Sequence, residues 1–170
     1  MKQFIQKIGR ALVACILLLT VNACNNEDNV IGIFTGKTWK LSFIAAEGSY
    51  EQFDFWGGDD AARQASMTAL SQTGTFVLSF EGSDLTESAG GSFNGRAIRG
   101  IIDGKWNANG KNNKLTLSDI KSTQSETDVL ARAFVTGLQN AFKYEGDYNN
   151  LFIYYKEGQT VKRMGFKPQK

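Results

Sequence analysis

The chain has no histidine among its 170 residues and two cysteines, Cys15 and Cys24. Hydrolysis through an imidazole base, a histidine-ligated zinc centre and imidazole proton shuttling near neutral pH therefore lack their usual residue. Carboxylates remain for acid–base work. Glycoside hydrolysis asks for two of them flanking a sugar bond, and Asp54, Asp59, Asp60, Asp84 and Glu87 supply the residue type. Acids in Gly-rich turn sequence of this kind are ordinarily solvated. Asp59-Asp60 behind Gly57-Gly58 lacks the alternating acids and closing glutamate of an EF-hand loop, and helix capping explains the pair more simply. Gly90-Gly91-Ser92-Phe93-Asn94-Gly95 has no lysine where a phosphate loop needs one. The expectation is no catalytic residue, no metal and no cofactor, with a non-enzymatic role as the default.

The stretch from Tyr50 to Gly58 carries four aromatics, Tyr50, Phe53, Phe55 and Trp56, in nine residues. Exposed aromatics in a connection between strands can form a platform for sugars or a lid over an apolar ligand. Alternatively, Phe53 and Phe55 form an extra strand and pack inward. These four residues are the candidate ligand-binding set.

Cys24 carries chemistry of another kind. Ahead of it stand Lys2, Lys7 and Arg10 with no acid, an apolar run from Ala11 to Val21, and Asn22-Ala23. A basic start, a short apolar middle and a small residue before a cut are the layout of a secretory signal. The run is shorter than the roughly 20 residues a spanning helix needs. A cysteine directly after the cut resembles the lipobox of bacterial lipoproteins, although Asn22 departs from the usual pattern. Cys15 also follows a lipobox-like string, Leu12-Val13-Ala14, but cutting there would strand Ile16–Thr20 on the mature chain.

The resemblance implies acylation of the Cys24 thiol, removal of residues 1–23, and a lipid anchor in the outer membrane of a Gram-negative bacterium, facing the periplasm or the cell surface. The membrane is then one partner, and a small molecule, glycan or protein of unknown identity is another. Once acylated, Cys24 leaves no thiol for a disulfide, so stability rests on packing. Removing the leader takes 19 basic residues to 16, against 17 acids over the 147 residues that remain. No basic face for nucleic acid follows from that balance. Residues 24–35 read as acylated terminus and polar tether. Asn25-Asn26-Glu27-Asp28-Asn29 is either a solvated linker or, by resemblance, an acidic signal for surface display.

The elements that must position these residues are mostly strands, in one domain over 36–170. Trp39, Leu41 and Phe43 alternate with Thr38, Lys40 and Ser42, and Phe76, Leu78 and Phe80 with Thr75 and Ser79. Weaker alternation runs through Ile98, Ile102 and Trp106, and through Leu115 and Leu117. Leu151–Lys156 and Thr160–Phe166 flank a hairpin turn at Glu157-Gly158-Gln159. That alternation sets Tyr154 and Tyr155 on opposite faces of one strand. Further turns are expected at Glu81-Gly82-Ser83-Asp84, Ala89-Gly90-Gly91 and Asn107-Ala108-Asn109-Gly110. From Ser125 onward, Val129, Leu130, Ala133, Phe134, Gly137, Leu138, Ala141 and Phe142 fall at helical spacing, with Ser125 and Asp128 close to a capping box and Lys143 at the negative end of the dipole. A thinner helix is expected over about 59–72. The fold class is mainly β: an antiparallel sheet or partly open β-barrel, with one amphipathic helix packed late.

Trp39-Lys40-Leu41, the strand Thr75–Phe80, the turn Gly91-Ser92-Phe93-Asn94-Gly95, a helix and a terminal hairpin resemble, in that order, the META-domain family of secreted bacterial lipoproteins across about 36–167. Phe93 stands where that family's turn has cysteine. Gly36-x-x-Trp39 resembles lipocalin-like lipoproteins, which would imply a carrier of a small apolar ligand, although strands following the late helix favour the META-like order. Neither resemblance carries catalytic residues.

Overall fold

The structure, a computed structural model, describes residues 29–85 and 88–169. Cys24, the leader, residues 25–28 of the tether and Glu87 lie outside the described residues. Eight antiparallel strands close in sequence order into a barrel: β1 (Thr38–Ala46), β2 (Val77–Leu85), β3 (Ser88–Arg96), β4 (Ile101–Asn109), β5 (Lys114–Ser122), β6 (Ala141–Gly146), β7 (Leu151–Glu157) and β8 (Thr160–Pro168). The mainly-β class read from alternation therefore holds. Closure joins the first strand to the last, in register from Trp39 opposite Pro168 to Ala46 opposite Lys162.

Among the described residues three helices accompany the barrel: α1 (Val30–Phe34), α2 (Asp60–Ser71) and α3 (Val129–Gln139). Two of them plug its ends. At one end Phe34 of α1 is fully buried, stacked on Trp106 at 4.8 Å and edge-on to Phe80 and Tyr144 at 5.0 Å each. The Trp39 indole nitrogen donates to the Phe34 carbonyl at 3.1 Å, tying the plug to β1. At the other end Phe134 of α3 packs against Phe76 at 5.7 Å and Phe166 at 6.2 Å. Inward residues of the strands, among them Leu78, Ile102, Leu115, Ile153 and Met164, fill the space between. The paired ends of β2 and β3 at Leu85 and Ser88 and the β4–β5 and β6–β7 turns lie at the α1 end. The loop after β1, the β3–β4 turn and the segment before α3 lie at the α3 end.

Several boundaries differ from expectation. The domain begins before Gly36: the Val30–Phe34 segment, read as tether, is a helix whose Val30 and Phe34 are buried. α3 starts at Val129, capped by Asp128, whose side chain accepts from the Ala131 N–H at 2.9 Å. Ser125 is not the cap because Glu126 is drawn sideways, its Oε1 accepting from the N–H groups of Ile98, Arg99 and Gly100 at 3.2, 2.9 and 2.7 Å. Ala141, Phe142 and Lys143 belong to β6, so Lys143 is no helix-dipole partner and pairs instead with Glu145 at 2.7 Å. Glu81–Asp84, Ala89–Gly91 and Gly91–Gly95 are not turns. They lie within β2 and β3, whose register runs from Val77 opposite Arg96 to Leu85 opposite Ser88. Asn107–Asn109 likewise finish β4.

Candidate functional site

The four candidate aromatics share one loop but not one site. The loop folds back on β1 through the Phe53 N–H to the Ile44 carbonyl at 2.7 Å, and the Ile44 N–H donates to Gln52 Oε1 at 3.2 Å. Trp56 is buried, its indole nitrogen donating to Ser66 of α2 at 2.9 Å. Phe53 and Phe55 form no strand and are half-buried. Their rings lie over the Lys162 ammonium, at 4.0 and 4.7 Å from the centroids. Lys162 is itself almost fully buried and paired with Glu157, so the two rings shield a cation rather than present a platform. Tyr50 alone projects, at 70% exposure.

Tyr50 meets residues that the sequence did not single out as a site. A β-bulge at Ser42 shifts the β1–β8 register between Leu41, opposite Phe166, and Phe43, opposite Gly165. The extra residue turns Phe43 from the core face to the outer wall. There Phe43, Tyr50 and Phe152 gather, with Phe43 at 6.0 Å from Tyr50 and 6.5 Å from Phe152. Arg163, also outward on β8, lies beneath them, its guanidinium 4.1 Å from the Tyr50 ring centroid, 5.2 Å from Phe152 and 5.8 Å from Phe43. Both its Nε and Nη2 donate to the Ser49 carbonyl, at 3.0 and 2.7 Å, so the same arginine fixes the loop that carries Tyr50.

The result is a groove of about 390 Å³ on the outer wall, lined by Ser42, Phe43, Tyr50, Asn150, Phe152 and Lys167, with Gly165 as floor. A Cβ at Gly165 would come within 2.6 Å of the Phe43 ring, so only glycine lets that ring lie down on β8. Asn150 accepts from the Lys167 ammonium at the rim. Beside the groove, the Tyr154 hydroxyl donates to Glu145 at 2.7 Å. Hydrogen bonds from Lys143 and then Tyr154 hold the Glu145 carboxyl below its ordinary range, while burial pushes the Tyr154 hydroxyl up. Tyr154 and Tyr155 do face opposite sides, and both are buried. Burial also drives the Tyr155 hydroxyl far above its ordinary value, and it has no hydrogen-bond partner.

The carboxylates proposed for sugar chemistry are engaged locally. Asp54 accepts from the N–H groups of Trp56 and Gly57 at 2.9 and 3.2 Å. Asp59 caps α2 through the Ala62 N–H at 3.0 Å, and Asp60 opens its first turn. Asp84 belongs to the exposed β2–β3 ribbon around α1, at the opposite end from these three. Among the described residues no group of three or more histidine, cysteine, aspartate or glutamate side chains could hold a metal ion. Away from the groove, the buried Ser66 hydroxyl donates to the part-buried Asp128 carboxylate at 2.6 Å. Its remaining partner is the Trp56 indole, so the arrangement ties α2 to the cap of α3.

A family model described as a domain of unknown function (DUF4847) matches residues 25–168. The fold is similar to that of a DUF4847 family protein from Bacteroides vulgatus ATCC 8482, with a TM-score of 0.57 and 22% identity over 81% of this chain and 96% of that one. No curated protein matches. The family match overturns the META-domain resemblance. That resemblance rested on element order and on a turn at Gly91–Gly95 that is in fact the body of β3.

Proposed function

This chain belongs to the DUF4847 family, and from that premise and its own geometry we propose a non-enzymatic, lipid-anchored cell-envelope domain that binds a saccharide in the Phe43–Tyr50–Phe152 groove. The observation that carries the reading is Tyr50: one face of its ring is held over the Arg163 guanidinium while the side chain stays 70% exposed. A solvent-facing ring fixed in this way offers a rigid apolar surface at little cost in side-chain entropy. Pyranose rings carry faces of C–H bonds that stack on such surfaces, and Ser42, Asn150 and Lys167 stand at the rim where hydroxyls would need partners. The groove's volume falls in the range of about 300–1,000 Å³ usual for small-ligand sites.

A lipocalin-like carrier is less well supported, because Phe34, Trp106 and Tyr144 at one end and Phe76, Phe134 and Phe166 at the other occupy the axis where a ligand would sit. Three strands also follow α3, unlike the lipocalin order of eight strands before the helix. The anchor is read from Cys24 and the signal layout before it.

Affinity electrophoresis through gels containing mannan, dextran or solubilised peptidoglycan tests the groove. Wild type is expected to be retarded by at least one polymer, Tyr50→Ala and Phe152→Ala to lose most of that retardation, and Met67→Ala on α2 to keep it. Unretarded migration of wild type through all three would refute the saccharide reading. Fatty-acid labelling of wild type and Cys24→Ser tests the anchor, and protease treatment of intact cells distinguishes surface from periplasmic display.

A further inference from the structure

We propose that the α1 end of the barrel is a bilayer-contacting surface, on which the domain stands upright with Leu85 and Tyr148 at the boundary between headgroups and acyl chains. This rests on reading Cys24 as the lipid-bearing residue. Asn29, the first described residue, follows Cys24 by five positions, a reach of about 17 Å when fully extended. Asn29 also fixes where the chain leaves the domain, since its side-chain nitrogen donates to the Tyr148 hydroxyl on the β6–β7 turn. The barrel's nine-residue strands, such as β4 and β5, measure roughly 30 Å at about 3.3 Å per residue. The tether is thus shorter than the barrel is tall, and the α3 end cannot swing down to the membrane while the α1 end stays tied beside it.

The chemistry of the α1 end fits that placement. Leu85 at the tip of the β2–β3 ribbon is 52% exposed, and Tyr148 is 54% exposed. An amphipathic ring such as Tyr148 is favoured at the membrane–water interface. Lys37 stands 4.9 Å from the Tyr148 ring centroid and donates to the Gly32 and Tyr148 carbonyls at 3.0 and 3.3 Å, which fixes a cation next to the ring. Lys114 opens β5 and Lys167 lies near the end of β8, both toward this end and suited to anionic headgroups. Among the described residues two carboxylates oppose these cations there: Asp147, which accepts from the Asn149 and Asn150 N–H groups at 2.7 and 2.8 Å, and Asp84 on the ribbon.

After acylation the processed chain has no other thiol, so single cysteines can report depth. The full chain is reconstituted in phosphatidylethanolamine–phosphatidylglycerol vesicles with an environment-sensitive fluorophore at Asn149→Cys, Ser83→Cys or Thr68→Cys. Lipid-borne nitroxide is expected to quench the probes at 149 and 83 severalfold more than the probe at 68 on α2. Adding Leu85→Ser and Tyr148→Ser should narrow that difference severalfold, leaving the part that the short tether imposes. Equal quenching at all three sites, or strongest quenching at 68, would overturn the proposal. A parallel chain with hexahistidine in place of residues 1–24, held on nickel-chelating lipid, reads the same ratio without acylation. If only this chain associates with vesicles, the lipoprotein reading falls, and orientation is still decided by its quenching ratio.

Discussion

Replacing Ser66 with alanine should destabilise the domain far more than a serine on a helix ordinarily would. In an isolated helix the change favours folding slightly, because alanine is the better helix former. Here Ser66 is fully buried and serves two partners, accepting from the Trp56 indole at 2.9 Å and donating to Asp128 at 2.6 Å. Its removal leaves the indole N–H of a buried tryptophan without an acceptor, a loss of about 1–3 kcal/mol, and takes a bond of about 1.5–3 kcal/mol from a carboxylate. Asp128 is only part-buried, so water recovers some of the second term, and a net loss of about 2–3 kcal/mol is expected. For a domain of this size that lowers the melting temperature by roughly 6–10 °C. Asp128→Ala removes the same bond together with the α3 cap, which is worth about 1 kcal/mol by itself. The double substitution should therefore fall short of the sum of the singles by about 1–2 kcal/mol. Urea unfolding of the four proteins of the cycle, followed by tryptophan fluorescence and far-ultraviolet circular dichroism, measures each term. A Ser66→Ala loss under about 0.5 kcal/mol, or strictly additive singles, would refute the claim that this hydroxyl joins the two helices.

Gly165→Ala should lift the Phe43 ring from β8, cost about 1–3 kcal/mol by overpacking and weaken retardation by any polymer that wild type recognises, as checked by thermal melts beside the affinity gels. Glu126→Ala strips the shared acceptor from three backbone N–H groups of the β3–β4 turn and should cost about 2–4 kcal/mol, whereas Glu126→Gln keeps an acceptor oxygen and should cost about 1 kcal/mol; hydrogen exchange at residues 98–100 reports the loosening. Glu145 is held below its ordinary range by Lys143 and Tyr154, and Asp147 by the Asn149 N–H, so both stabilise the fold while ionised. That contribution is complete above the ordinary carboxylate range and is lost as pH falls through the depressed values, so melting temperatures should drop below about pH 4, less steeply in Glu145→Gln.

The barrel was legible wherever alternation was undisturbed. Leu78 with Phe80, Leu115 with Leu117, and the hairpin from Leu151 to Phe166 all place their inward residues as the period of two requires. α2 was legible through its aspartate cap. α1 was not, because five residues are too few for helical periodicity, and a helix that short is stabilised by its packing rather than its own propensity. The β2–β3 ribbon resembled turns because of Gly82, Gly90 and Gly91. A Cβ at Gly91 would lie 2.1 Å from the Glu81 carbonyl oxygen, so close backbone approach explains the glycine there. The site was half legible. Tyr50 stood out as an exposed aromatic, but Phe43 was assigned to the core with Trp39 and Leu41, since a one-residue bulge leaves no mark on composition. Arg163 and Lys162 were hidden for another reason: the loop after β1 folds over this part of β8 and buries charge that the residue types alone would assign to solvent.

Barrel closure has a kinetic consequence. β1 meets β2 only over 38–40, whereas it meets β8 from Trp39 to Ala46. The first strand therefore gains most of its pairing from the last strand to leave the ribosome. Contacts of such sequence separation slow folding, and a chain still short of β8 cannot complete the barrel. For the exported, lipid-anchored domain proposed above, delayed closure would keep the polypeptide unfolded, and so able to thread a membrane pore, until its C-terminal residues had emerged on the far side.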